Sequence, residues 1–316
     1  MFSAPLIVLS SLSLFSQQAP NPPALWQDRG DVTALDLMDG PGRPSHPPGV
    51  HFQFLKESLN GTSPKFEVKD ENGMKWKVKL GEEVKSETAA ACLVWAAGYF
   101  VDEDYYRSEI HVEGLQRLSR GQEYVRHGDT VESVRLERHR SGPDPEVWSW
   151  FDNPFTGTKE FNGLRVLMAL INNWDLKDVN NAIYMDRNEI TYAVADLGAT
   201  FGRTGSALQR SKGDVKDFAN SAFIRKVTSD YVDFQLASRP LFIQSLTNSH
   251  YYHERTEMEK VVKNIPLNDA RWIGNQLGRF SQSQIADCFR SAGFSPSEVN
   301  AYAGAVTKRI AALTGL

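Results

Sequence analysis

The sequence predicts an α+β protein with two lobes, a small β-rich N-terminal lobe carrying one helix and a larger, mainly helical C-terminal lobe. Two patterns support this prediction: an alternating hairpin followed by a helix in the first half, and helical spacing with capping signals in the second half. The chain has 316 residues, of which 41% are hydrophobic and 23% charged, which suffices for two lobes with separate cores.

A β-hairpin opens the predicted N-terminal lobe, and ordered structure is expected to begin near Pro64. Residues 65–70 and 74–80 both alternate polar with apolar side chains, as strands with one buried face do. Asn72 and Gly73 lie between the two runs, and an Asn-Gly pair is the strongest short-range hairpin signal.

A helix is predicted directly after this hairpin, from Ser86 to Ala97. Ser86 is a favourable N-cap, the alanine-rich run that follows has high helix propensity, and Gly98 is a typical residue for the helix end. Residues 131–136 are strand-like and indicate a further strand of the same lobe.

The second half of the chain shows helical spacing. Residues 158–171 have apolar side chains on one helix face, at Phe161, Leu164, Leu167, Met168 and Ile171. Two capping boxes follow near the C-terminus, one formed by Ser281 with Gln284 and one by Ser295 with Glu298. We therefore expect a C-terminal lobe made mainly of helices.

Five segments describe the predicted organisation: a signal peptide (1–20), a Pro- and Gly-rich extended arm (21–64), the β-rich lobe (65–142), a connection (143–154) and the helical lobe (155–316). The apolar run near the N-terminus is too short to span a bilayer, and the mature chain is expected to have no transmembrane span. We expect export to the periplasm or the extracellular space, with the cytoplasm as the alternative location.

The charge and cysteine content restrict the possible partners. A formal net charge of -4 gives no electrostatic reason to expect a nucleic-acid partner. Cys92 and Cys288 are the two cysteines of the sequence, and they lack the spacing of a metal site. They could form a disulfide in an exported protein or remain as two buried thiols, and the sequence leaves both possibilities open.

One constellation of polar residues follows the helix predicted over 158–171. Asp175 and Asn180 lie five residues apart in a loop, and two short strands then lead to Asp196, which stands beside a glycine. Phosphoryl transfer needs a carboxylate that orients the acceptor hydroxyl, and it needs amide and carboxylate oxygens that hold Mg²⁺ against a triphosphate. The hairpin would return Asp196 to the end of the loop, so that the three side chains could serve these roles together.

The first hairpin supplies a candidate cation for the same site. Lys79 ends its second strand, and Glu87 follows eight residues later in the first turn of the predicted helix. A strand lysine that reaches the phosphates and is held by a helix glutamate would complete the site. Lys77 is the competing candidate, but Lys79 has Gly81 two residues after it.

These motifs resemble those of the phosphoinositide-kinase-like superfamily, whose general plan is shared by HipA-like and secretory-pathway kinases. Residues 79–83 resemble its K-x-G-[DE]-[DE] lysine strand, with Glu87 on the helix that follows. Residues 175–180 resemble its catalytic D-x-x-x-x-N, and residues 196–202 resemble its metal-binding D-F-G motif. The resemblance spans about residues 65–205 and lacks a GxGxxG loop.

The resemblance implies an atypical kinase-like fold and an ATP- and Mg²⁺-dependent phosphotransferase. Asp175 would be the catalytic carboxylate. Lys79 would bind the nucleotide phosphates, and Glu87 would orient Lys79. Asn180 and Asp196 would bind the metal and, through it, the nucleotide.

Three hypotheses about function remain open at this point. The first is a phosphotransferase whose acceptor is a hydroxyl of a protein, a lipid or a small molecule, with Asp178 and Asn181 as alternatives for the loop roles. The second is a kinase-like binding scaffold without turnover, motivated by the export-like N-terminus because ATP is scarce outside the cytoplasm. The third is an unrelated exported α+β envelope protein in which the acidic residues only cap turns.

Overall fold

The computed structural model describes residues 22–38, 40–41, 46–140, 142, 144–186 and 189–316. The signal peptide predicted over residues 1–20 lies outside the described residues.

The helices and strands follow the chain in this order. The strands are β1 (Phe52–Ser58), β2 (Lys65–Asp70), β3 (Lys75–Lys79), β4 (Phe100–Val101), β5 (Asp104–Glu113), β6 (Val125–Arg126), β7 (Thr130–Arg138), β8 (Asn181–Asp186), β9 (Glu189–Val194), β10 (Ile224–Val227), β11 (Tyr231–Phe234) and β12 (Ile265–Pro266). The helices are α1 (Glu83–Ala96), α2 (Lys159–Leu170), α3 (Val215–Asn220), α4 (Ile243–Thr247), α5 (Ser249–Met258), α6 (Leu267–Leu277), α7 (Gln282–Ser291) and α8 (Pro296–Thr314). The predicted α+β fold with a β-rich N-terminal lobe and a helical C-terminal lobe is confirmed.

The N-terminal lobe is a sheet that closes on itself. The strand order is β3-β2-β1-β5-β7-β6, and β3 also pairs with β7, so five of the strands form a closed ring. Its interior is filled by alternate side chains of the predicted hairpin, including Phe66, Val68, Trp76 and Val78, which are almost fully buried. Gly73 has φ +82° in the turn, a conformation that glycine adopts without strain. Closure leaves fewer unpaired strand edges in this lobe.

Ordered structure begins earlier than Pro64. β1 pairs antiparallel with β2 and parallel with β5, so it belongs to the sheet although it lies in the predicted extended arm. Phe52 is buried in the lobe's core, and Leu25 and Leu37 pack into the core of the other lobe. The many prolines and glycines of the segment 21–64 are typical of an extended arm. They dominated the sequence pattern, although the segment also contains these three buried apolar residues.

Helix α1 begins at Glu83 rather than at Ser86. Gly81 turns the chain with φ +105° immediately after Lys79, and the helix therefore starts one turn earlier than predicted. Ser86 lies inside the helix, where its Oγ donates to the carbonyl oxygens of Glu83 and Gly198 over 3.0 and 3.2 Å. The end of the helix at Ala96, just before a left-handed glycine, agrees with the prediction to one residue.

Helix α1 also joins the two lobes. Its residues are buried on all sides, and they form part of the larger core together with α2 and the C-terminal helices. A disulfide connects Cys92 of α1 with Cys288 of α7, with a Cα–Cα distance of 5.5 Å. The two cysteines are therefore paired rather than free. The helix that carries Glu83 and Glu87 is covalently attached to the C-terminal lobe.

The C-terminal lobe contains the predicted helices and two small sheets. α2 spans all but the ends of the predicted segment 158–171, with Thr158 as its N-cap, and both predicted capping boxes are present at α7 and α8. β8 and β9 form an antiparallel hairpin, and β4 joins β9 in parallel. The sheet of β10, β11 and β12 was not predicted, although Val232 and Phe234 of β11 alternate with polar neighbours. Within the described residues, every helix is too short or too polar to cross a bilayer.

Candidate active site

Lys79 is a buried ammonium at the end of β3, where the two lobes meet. Its Nζ lies 2.7 Å from Glu87 Oε2 and 2.7 Å from Glu83 Oε2, both on α1, and 3.8 Å from Asp196 Oδ1. Burial by itself would lower the pKa of Lys79, but the carboxylates of Glu87, Asp196 and Glu83 outweigh it, and the pKa lies above its ordinary value. Lys79 is therefore a permanent cation held by three acidic side chains.

Glu87 is fully buried between two cations. While Oε2 contacts Lys79, Oε1 lies 2.5 Å from Arg135 Nη1 on β7. Arg135 also pairs with Asp104 and Glu137, and so the ion network continues into the sheet. Burial raises the pKa of Glu87, while Arg135 and Lys79 oppose that rise. The network fixes the carboxylate that orients Lys79.

Glu83 is a third carboxylate, which belongs to the K-x-G-[DE]-[DE] run but was given no role from the sequence. Its Oε2 contacts Lys79, and its Oε1 accepts from Lys212 over 2.9 Å. Partial burial opposes ionisation, but Lys79 and Lys212 outweigh it and lower the pKa of Glu83 to about 2. A Cβ on Gly198 would lie 2.7 Å from Glu83 Oε2, so the glycine after Asp196 is needed for this close approach. The place of Glu83 at the end of the K-x-G-[DE]-[DE] run was the available signal.

The loop after α2 carries Asp175 and Asn180. The Asn180 Nδ2 amide donates to the backbone oxygen of Asp175 over 2.6 Å and closes the loop on itself. The backbone oxygen of Asn180 accepts from the backbone N–H groups of Ala195 and Asp196 over 2.9 and 3.2 Å. The loop and the segment that begins at Asp196 are therefore fixed to one another. Among the side chains that the structure describes, none donates to Asn180 Oδ1.

Asp196 connects this loop with the lysine. Its Oδ1 accepts from the backbone N–H of Gly198 over 3.1 Å and faces Lys79 Nζ at 3.8 Å. Its side chain is 49% exposed, in contrast to 2% for Glu87. A continuous set of contacts thus joins the predicted site residues, from Asp175 through Asn180 and Asp196 to Lys79 and Glu87. The carboxylate of Asp196 can accept a further ligand from solvent.

Asp175 has two cationic neighbours that the sequence did not reveal. Arg255 of α5 is almost fully buried and places Nη1 2.7 Å from Asp175 Oδ1. Lys177 Nζ lies 3.3 Å from the same oxygen. Arg255 is distant in the sequence and follows no motif, so nothing predicted the contact, whereas Lys177 stands two residues after Asp175 in the candidate loop. Both cations contact the same carboxylate oxygen and hold the Asp175 side chain in place.

The alternative residues serve other purposes. Asp178 Oδ1 accepts from the backbone N–H of Trp150 over 3.1 Å. Asn181 is buried and donates to the backbone oxygen of Trp148 over 3.1 Å. Lys77 pairs with Glu137, away from Asp196. In the structure, these three side chains therefore make contacts that hold the fold together.

The oxygen atoms of the site fit the metal that the resemblance implies. Glu83, Glu87 and Asp196 can each offer a carboxylate oxygen within 4.8 Å of the others. Glu87 is fully buried between Lys79 and Arg135, whereas the side chains of Glu83 and Asp196 are 17% and 49% exposed. Asp196 and Glu83 are therefore the more accessible donors, together with the Asn180 amide oxygen. Mg²⁺ prefers such hard oxygen ligands, and Lys79 beside them provides a cation for phosphate oxygens.

No protein-family model matches the sequence, and no curated protein matches it either. Among solved structures, the fold is similar to that of the Helicobacter pylori proinflammatory kinase CtkA, at 12% identity and a TM-score of 0.46, over 85% of this chain and 98% of that chain. It is also similar to the Golgi casein kinase with Mn/ADP bound, at 11% identity and a TM-score of 0.39, over 85% of this chain and 72% of that one. A second structure of the Golgi casein kinase gives 10% identity and a TM-score of 0.36, over 85% and 73% of the two chains.

The class of protein follows from the arrangement within this chain. A closed sheet with one helix supplies Lys79 and Glu87, and a helical lobe supplies the loop of Asp175 and Asn180 and then Asp196. This order and these contacts define an atypical kinase-like fold with two lobes.

Proposed function

We propose that the protein is a phosphotransferase that transfers the γ-phosphoryl group of ATP to a hydroxyl acceptor. The observation that carries the proposal is the buried Lys79–Glu87 pair, 2.7 Å long, with Asp196 facing the same lysine. Moving a lysine ammonium out of water costs free energy that a simple ion pair does not recover. The burial of Lys79 is therefore not explained by stability. A phosphate-binding role explains why the cation is held there.

Lys79 would contact the nucleotide phosphates, and Glu87 would hold its ammonium in place. Asn180 and Asp196 would bind Mg²⁺, with Glu83 as a further oxygen donor. When bound, the metal would neutralise negative charge on the β- and γ-phosphates. Lys79 lies within 3.8 Å of Asp196, and so the cation for the phosphates and the metal ligand lie side by side.

Asp175 would orient the acceptor hydroxyl. In the transfer, the acceptor oxygen forms a bond to the γ-phosphorus while the bond from that phosphorus to the bridging oxygen of ADP breaks, and the hydroxyl proton passes to Asp175. Lys177 would stabilise the charge on the transferring group, because its Nζ lies 3.3 Å from Asp175 Oδ1. The acceptor belongs to a protein, a lipid or a small molecule.

We also propose that the protein works outside the cytoplasm, in the periplasm or the extracellular space. The Cys92–Cys288 disulfide supports this location, because disulfides persist in oxidising compartments. The apolar segment near the N-terminus is a candidate for the export signal.

A kinase-like binding scaffold without turnover is the second candidate. It is favoured by the ion pair between Asp175 and Arg255, which at 2.7 Å engages the catalytic carboxylate with a buried cation. The scaffold would bind nucleotide without forming ADP.

Formation of ADP from Mg-ATP separates the two candidates. The wild-type protein is incubated with ATP and MgCl₂, with and without a peptide library that carries serine, threonine and tyrosine. We expect ADP formation that falls at least a hundredfold in Asp175→Asn and in Lys79→Met. Lys75→Met is the matched control, because it removes an exposed lysine of the same strand, and it should retain activity. Nucleotide binding without any ADP would favour the scaffold, and equal loss in Lys75→Met would contradict the role of Lys79.

A further inference from the structure

A second pocket lies between the segment that follows Gly202 and strand β11. Its volume is about 520 Å³. The two walls are joined by the backbone N–H of Gly205, which donates to Ala237 O over 2.7 Å, and by Arg210, whose guanidinium donates to Ser238 O over 2.8 Å. The pocket does not include Lys79, Asp175 or Asp196, and so it is separate from the candidate active site.

The pocket carries an excess of positive charge. Arg225, Arg239 and Lys263 line it together with one carboxylate, Glu259. Arg239 contacts both oxygens of Glu259 over 2.9 and 3.0 Å, and this pair is neutral. Within the described part of the chain, no carboxylate lies at ion-pair distance from Arg225 or Lys263. Arg225 and Lys263 therefore line the pocket as two positive charges that no carboxylate of the described residues balances.

The neutral groups of the lining add hydrogen-bond donors. Gln209 uses its amide oxygen to accept from the Ser206 backbone N–H and Oγ over 3.3 and 3.0 Å, and its NH₂ group remains a donor. Phe234 and Leu236 are buried and form an apolar part of the lining. A pocket with two free cations, an amide donor and an apolar wall selects for a small anion rather than for a cation or a purely apolar ligand.

We propose that this pocket binds a phosphomonoester. A phosphomonoester carries a charge between about -1.5 and -2 at neutral pH, which matches the two uncompensated cations, whereas a single carboxylate would leave one cation unpaired. Arg225 can bind two phosphate oxygens through its planar guanidinium, and Lys263 adds a point charge. The ester belongs to a phosphorylated side chain of the acceptor or to a free small molecule.

A short series of contacts connects the pocket with the active site. Arg255, which pairs with Asp175, accepts through its backbone oxygen from Ser238 Oγ over 2.8 Å. The backbone N–H of Ser238 donates to Glu259 Oε1 over 3.2 Å in the wall of the pocket. A ligand in the pocket would thus stabilise the wall that positions Arg255. This link to catalysis rests on the proposed function, whereas binding itself does not.

Binding is tested without nucleotide, by calorimetry and by thermal melting with phosphoserine, serine and inorganic phosphate. We expect phosphoserine and phosphate to bind and serine not to bind. Affinity should fall at least tenfold in Arg225→Gln/Lys263→Gln, while Lys226→Gln/Lys308→Gln, which removes two exposed lysines outside the pocket, should bind as the wild type does. If the double variant does not fold, Arg225→Gln alone is used.

A peptide containing phosphoserine distinguishes the two sources of the ester. Binding at least tenfold tighter than that of free phosphoserine assigns the pocket to a phosphorylated acceptor, and equal binding assigns it to a small molecule. Equal phosphate affinity in the pocket variant and the control variant, or no binding to the wild type, would overturn the proposal. Asp175→Asn serves as an independent check, because it should lose phosphotransfer and keep phosphoserine binding.

Discussion

At the scale of single residues, Glu83 is the carboxylate best placed to give up its contact with Lys79 when a ligand binds. Glu87 is held on both oxygens by Lys79 and Arg135, and it has no freedom to leave. Glu83 has a second cation in Lys212, which follows residues 196–202 in the chain. Under the proposed function, a triphosphate that binds Lys79 would release Glu83 from the lysine. The contact with Lys212 would then keep the Glu83 carboxylate paired, whereas an unpaired buried charge would be costly.

Glu83→Gln should lower the free energy of unfolding at neutral pH. The pKa of Glu83 falls from its ordinary 4.5 to about 2 on folding, so its carboxylate stabilises the protein fully above pH 4.5 and loses this effect as the pH falls towards 2. The contribution is at most about 3 kcal/mol. Urea denaturation at pH 7 and at pH 3 measures it, and the difference between wild type and variant should shrink at the lower pH.

Glu82→Gln is the control for this experiment, because Glu82 is the exposed neighbour at the same end of α1. It should leave the free energy of unfolding close to that of the wild type. Equal stability of Glu83→Gln and wild type at pH 7 would contradict the ion pairs assigned to Glu83.

At the scale of elements, α1 determines whether the site is assembled. The helix carries Glu83 and Glu87, and the disulfide between Cys92 and Cys288 attaches it to α7 of the other lobe. Gly81 at φ +105° sets its start directly after the lysine strand. A shift of α1 would move both carboxylates relative to Lys79. The geometry of the site therefore depends on the position of this helix.

Removal of the disulfide should destabilise the protein and weaken nucleotide binding together. The two cysteines are separated by 196 residues, and a disulfide typically contributes about 2–4 kcal/mol, mainly by restricting the unfolded state. Cys92→Ser/Cys288→Ser should therefore unfold at lower urea concentration than the wild type, and a reductant should have no further effect on it. If the oxidised, reduced and substituted proteins unfold alike, the disulfide does not hold α1 in place.

Local signals predicted several elements correctly, and long-range contacts set the rest. The hairpin at Gly73, helix α2 and the capping boxes of Ser281 and Ser295 depend on neighbours within a few residues, which a sequence displays. The pairing of Cys92 with Cys288 depends on two helices meeting in space. The closure of the sheet, β1 inside a Pro-rich segment and the β10–β12 sheet are set by tertiary contacts for the same reason.

The candidate site shows the same division. The order of Lys79, Glu87, Asp175, Asn180 and Asp196 along the chain was visible in the sequence, because each lies in a short motif with a defined spacing. The cations that surround these residues were not, because Arg135, Lys212 and Arg255 reach the site from unrelated elements. Sequence spacing therefore indicated a group of candidate residues, and only the fold revealed which cations balance the charge of their carboxylates.

At the scale of the whole molecule, the two lobes share one set of charges. The N-terminal lobe contributes Lys79, and the C-terminal lobe contributes Asp196 at 3.8 Å. Residues that only cap turns have no reason to meet across such a distance in the sequence. A metal–triphosphate site requires this meeting, because it needs a cation for the phosphates next to oxygen ligands for the metal.

Thermal melting with Mg-ATP tests this central claim most directly. At a hundredfold excess over its dissociation constant, the ligand should stabilise the wild type by about 2.7 kcal/mol. Asp196→Asn should melt like the wild type without ligand, because the side chain is 49% exposed and an amide can still accept from Gly198, but it should lose the shift. Asp186→Asn, at the exposed end of β8, should keep it. A full shift in Asp196→Asn, or no shift in the wild type with any nucleotide, would contradict the account.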